Sequence, residues 1–74
     1  MYEARLRTRD LRPGDWITES FTHERYALLV SSSSDSVMVQ SINTSVHELT
    51  VLSSHGKLHT FTWRSDSYWN VLRQ

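Results

Sequence analysis

The chain has no cysteine, a single proline and only two glycines among its 74 residues. Disulfides and thiolate metal sites are therefore excluded as devices for holding so short a fold together. Its core, a bound partner or self-association has to do that work, and a homo-oligomer is compatible with this size. Absent cysteine also fits a reducing compartment. Residues 1–12 alternate polar and apolar and lack the continuous apolar stretch of a secretory leader, so the sequence reads as cytoplasmic. No apolar run is long enough to cross a bilayer, which leaves no membrane role to expect. Two glycines, Gly14 and Gly56, cannot make a phosphate-cradling loop. Eight basic and eight acidic side chains cancel, which argues against a surface given over wholly to nucleic acid or to an anionic membrane.

What is present is a folding composition, with 38% hydrophobic and 22% charged residues, and a length that allows one core and one domain, residues 1–74. Helical spacing of apolar residues is missing and period-two spacing recurs along the chain. Tyr2, Ala4 and Leu6 alternate with Glu3, Arg5 and Arg7, as in a strand with one face inward. Pro13 and Gly14 supply the backbone angles of a type II turn, so the chain reverses there. Residues 16–22 and 26–32 read as two strands joined by His23, Glu24 and Arg25. Ala27, Leu28, Leu29 and Val30 are apolar on both faces, which marks a central strand covered on each side. Ser33, Ser34 and Asp35 predict the next turn with residues 37–42 returning, and Asn43, Thr44 and Ser45 predict another. Residues 46–53 and 58–63, separated by His55, Gly56 and Lys57, form a further hairpin. Residues 68–72 read either as a closing strand or as a turn of 3₁₀ helix. The fold class is all-β: a small antiparallel barrel of five or six strands, closed or nearly so.

Catalytic and metal-binding constellations are not legible. His55 and His59 on one strand would stand roughly 13 Å apart, too far to share an ion unless the Gly56 turn folds them together. The serines gather where turns need hydroxyls, with no G-x-S-x-G elbow. Asp10 with Asp15, and Glu19 with Glu24, flank turns as solvated or capping acids. No cofactor is expected. The candidate binding residues are Arg5, Arg7 and Arg9, which on a strand would present guanidinium groups at intervals of roughly 6.6 Å, and Trp16, Trp63 and Trp69. Phe21, Tyr26, Phe61 and one tryptophan are expected inside, and so small an interior leaves at least one of the tryptophans partly exposed.

Leu11-Arg12-Pro13-Gly14-Asp15-Trp16-Ile17 resembles the L-x-P-G-D-x-I/V turn and strand entry of small SH3-like barrels, the KOW-type group among them. Ala27-Leu28-Leu29-Val30 and Val37-Met38-Val39 look like the central strand pair of such barrels, so the resemblance covers about half the chain. The Gly-rich loop of a full KOW motif is absent. Members of that group bind RNA, DNA, ribosomal components or peptides, and the resemblance thus implies a binding module. The short cysteine-free chain also looks similar to accessory proteins of phages and mobile elements. The function expected from the residues is non-enzymatic protein binding, as an adaptor or inhibitor-type accessory protein. The alternative is a nucleic-acid-binding barrel using the arginine row and an exposed tryptophan.

Overall fold

Alternating, β-branched and aromatic segments become six strands in a computed structural model that describes residues 2–18, 26–53 and 55–74. They are β1 (Tyr2–Arg7), β2 (Trp16–Thr18), β3 (Ala27–Val39), β4 (Ile42–Leu52), β5 (Leu58–Arg64) and β6 (Tyr68–Arg73), with a 3₁₀ turn at Thr8–Asp10. All lie in one antiparallel sheet of order β1-β6-β2-β3-β4-β5. The fold is small and all-β, as expected, and the last segment is a strand. The expectations for Phe21, for the 23–25 connection and for the end of the second strand lie outside the described residues.

The sheet is not closed into a barrel. Among the described residues β1 pairs only with β6, and β5 only with β4. Side chains take the place of the missing ladder. Phe61 and Trp63 on β5 pack against Trp69 of β6, tilted and edge-on, at ring-centroid distances of 6.1 and 5.5 Å. These strands stand four positions apart in the sheet, roughly 19 Å if it were flat. Contact between their rings means that the sheet curls over and encloses one face. Rings of this size keep β5 and β6 at side-chain packing distance, too far apart for backbone pairing.

The enclosed face carries Leu11, Ile17, Leu29, Leu49, Val51, Trp69 and Val71, with Leu6, Ala27, Phe61 and Trp63 packed against them. Tyr26 precedes β3 and is partly buried outside that cluster.

The long hairpin corrects two expected turns. Ser33, Ser34 and Asp35 lie within β3, and Asn43, Thr44 and Ser45 lie within β4; the chain reverses at Gln40 and Ser41, both with positive φ, 49° and 65°. Register explains the shift, because this turn sets Val51 opposite Leu29 and delivers Leu49 to the core, whereas a reversal at Asp35 would not. A bulge between Leu29 and Ser31 changes which residues of β3 face inward.

The Pro13-Gly14 turn forms as expected. Gly14 has φ +99°, and the Asp15 N–H donates to the Arg12 carbonyl at 3.1 Å.

At the end of β2 the Thr18 hydroxyl is buried and, among the described residues, has no hydrogen-bond partner. Orphaned buried hydroxyls cost about 1–3 kcal/mol. Thr18→Val, nearly the same shape, is expected to raise stability by about 1 kcal/mol, read as a higher urea midpoint. An unchanged or lower midpoint would show that the hydroxyl contributes.

Candidate protein-interaction surface

The expected arginine row is shorter than its spacing suggests. Arg5 and Arg7 share the outer face of β1, but the strand ends at Arg7 and Arg9 sits in the 3₁₀ turn. The cause is Thr8. Fully buried, it donates its N–H to the Ser67 carbonyl at 2.9 Å and accepts the Trp69 indole N–H at 2.8 Å, which pulls the backbone out of strand geometry. Tyr68 lies opposite Arg7 in the ladder, and both the Arg7 and Arg5 guanidinium groups stand over its ring, at 4.8 and 5.1 Å from the centroid.

The three tryptophans divide. Trp69, only 3% exposed, belongs to the core and offers a partner nothing, because its ring is the piece over which the sheet folds. Trp63 is partly buried and meets Phe61 edge to face at 6.4 Å. Trp16 precedes the buried Ile17 and therefore faces outward.

Around Trp16 the sheet assembles a feature no single segment displays. Glu3, Leu72, Trp16, Leu28, Leu52 and Leu58 are successive cross-strand partners through all six strands. Each neighbours a residue that points to the enclosed side, so the whole row lies on the outer face. Five of the six are large and apolar, and none belongs to the core cluster. Leu72, Trp16, Leu28 and Leu52 are partly buried and Leu58 is 64% exposed. Across six strands the row runs roughly 24 Å. Since the sheet curls, it forms an apolar girdle around the outside. No protein-family model, curated protein or solved structure matches this chain.

Sequence reasoning reached Trp16 and missed Leu28, Leu52, Leu58, Leu72 and Tyr68. One signal was available. Ala27-Leu28-Leu29-Val30 is apolar on both faces, and a strand of that kind needs cover on its outer side as well as its inner one.

Two further polar clusters serve the architecture. Asp15, 3% exposed, receives the Arg73 Nε–H at 2.9 Å and a second guanidinium N–H at 2.8 Å, together with the Arg12 backbone N–H at 2.9 Å. Burial alone would push its carboxyl up. The bonds from Arg73 and Arg12 and their positive charge outweigh burial and hold it below its ordinary value, while the bond to Asp15 raises Arg73 in return. His47 Nδ1 lies 2.8 Å from Ser65 Oγ. Ser65 is buried in the β5–β6 turn, its N–H bonded to the Ser45 carbonyl and its carbonyl to the Arg9 N–H, so its hydroxyl latches a turn. Among the described residues no three His, Asp or Glu side chains gather as a metal site, and no helix is long and apolar enough to cross a membrane.

Proposed function

We propose that the chain is a non-enzymatic protein-binding module, an adaptor or inhibitor-type accessory protein, that engages its partner through the outer girdle centred on Trp16. One observation carries this reading: the uninterrupted row of Leu72, Trp16, Leu28, Leu52 and Leu58 on the face turned away from the core. Apolar surface of that continuity on a small domain marks an interaction site, and a tryptophan flanked by leucines is the composition of an energetic hot spot. The resemblance of residues 11–17 to the entry of small SH3-like barrels agrees with a binding role.

The test is affinity capture from host lysate with the tagged chain, split into nuclease-treated and untreated halves. A stoichiometric protein is expected in both. Its affinity should fall by about 2 kcal/mol, roughly 30-fold, with Trp16→Ser or Leu28→Ser. Both residues face outward, so the fold should persist. Binding indifferent to both substitutions would dismiss the girdle.

The pairing of Arg5 and Arg7 with the exposed Tyr68 ring favours a second reading, in which bases stack on Tyr68 while the guanidinium groups meet phosphates. That reading requires recovery to vanish with nuclease and affinity to fall steeply with salt, whereas an apolar protein interface responds little.

A further inference from the structure

The β3–β4 hairpin outruns the rest of the sheet. Among the described residues β2 pairs with β3 only at Ala27 and Leu28, and β5 reaches along β4 only as far as Val46. Residues 31–39 of β3 thus have β4 on one side and, among the described residues, no strand on the other. The direction of their backbone groups follows from the turn. A two-residue loop at Gln40 and Ser41 makes Val39 and Ile42 the closing pair, which exchange both backbone hydrogen bonds. Alternation then aims the N–H and C=O of Ser33, Asp35 and Val37 at β4, and those of Ser32, Ser34, Ser36 and Met38 at the open side. The structure bears this out at Ser36, whose N–H is taken by the Asp35 carboxylate at 2.7 Å.

Open edges are normally guarded by charge, proline or a bulge. The β1 edge is guarded by Glu3, Arg5 and Arg7. Residues 31–45 contain no proline and one charge, Asp35, and the regular stretch of the edge has no bulge. Val37, Met38, Val39 and Ile42 are 40 to 66% exposed at its far end. Asp35 is therefore the single guard, and it acts by occupying the outward N–H of its neighbour.

We propose that this edge is a strand-pairing site for a second copy of the chain, joined antiparallel about a two-fold axis at Ser36, with Asp35 limiting its strength. The edge is complementary to itself. Centred on Ser36, outward residues oppose outward residues, Ser34 facing the second copy's Met38. Asp35 then falls opposite the second copy's Val37 and not opposite its own twin. A centre at Asp35 would set two carboxylates against each other, which selects the Ser36 register. Zero net charge places no overall repulsion in the way of approach.

Sedimentation equilibrium of the full chain tests the proposal. The average mass is expected to rise with concentration from 8.7 kDa toward twice that value. Asp35→Ser frees the Ser36 N–H and should lower the concentration for half-dimerisation about tenfold. Ser34→Pro removes an outward N–H without touching the β4 ladder, and Ser36→Lys sets like charges opposite each other at the axis. Each should leave a folded monomer, the lysine variant guarding against a proline that disturbs the strand. The proposal is overturned if wild type and Asp35→Ser both stay monomeric, or if dimers persist in both blocking variants.

Discussion

Asp15→Ala is expected to lower the unfolding free energy by about 3 kcal/mol, because it leaves the largely buried Arg73 guanidinium without its ion-pair partner. For a domain of this length that is a fall in Tm of roughly 15 °C. The carboxylate joins three parts of the fold. It accepts two bonds from Arg73 on β6 and one from the Arg12 N–H at the turn, while its own carbonyl receives the Leu29 N–H of β3 at 2.8 Å. Asp15→Asn should cost nearly as much, since an amide keeps the shape and loses the ion pair.

The pH dependence separates the charge from the packing. The folded-state pKa of Asp15 is depressed, so the folded chain gives up this proton more readily than the unfolded chain. The stabilisation is fully present above the ordinary carboxylate range and is lost as pH falls through that range toward the folded value. Urea midpoints of the wild type should therefore fall toward acid with a steeper slope than those of Asp15→Ala. Parallel slopes would sink the assignment.

Trp69→Ala should be more damaging still, by about 4 kcal/mol, from the void left at the centre of the aromatic seam. A domain of this length has a total stability of only about 4–11 kcal/mol, so the variant is expected to keep at most about two thirds of it and to melt well below the wild type. Three contacts are lost together: the rings of Phe61 and Trp63, which close the curled sheet, and the bond from the indole N–H to the Thr8 hydroxyl. Trp69→Phe separates them, keeping a ring and losing the indole bond while the Thr8 hydroxyl still donates to the Ser67 carbonyl at 3.3 Å, and should cost about 1 kcal/mol. Far-UV circular dichroism with thermal melts reads both variants. A Trp69→Ala chain that melts near wild type would mean that the sheet curls without its rings.

The strands and the Pro13-Gly14 turn were legible because they rest on local chemistry: period-two alternation, a fixed proline φ and a glycine where φ is positive. The hairpin turn was not. Ser33, Ser34 and Asp35 have the side chains of a turn, yet the reversal falls at Gln40 and Ser41, chosen by the distant need to set Val51 against Leu29 and to deliver Leu49 to the core. Tertiary register overrode local preference there. The candidate site shows the same division. Trp16 draws notice alone, but Leu28, Leu52, Leu58 and Leu72 become a row only once five ladders bring them into line. The arginine spacing misled for the opposite reason, since Thr8, an unremarkable residue in sequence, buries itself beneath Trp69 and ends the strand at Arg7.

The pairing of the first strand with the last shapes how the chain acquires its structure. β1 aligns with β6 from Tyr2 opposite Arg73 to Arg7 opposite Tyr68, and β2 lies between β6 and β3. The β2–β3, β3–β4 and β4–β5 pairings join consecutive strands and are local, whereas β1 gains its place only through β6. Loop-closure entropy across nearly the whole chain is met before those contacts reward it. Without β6, β1 has no ladder partner among the described residues and Asp15 has no Arg73, whereas the β2–β3, β3–β4 and β4–β5 pairings draw on no residue of β6.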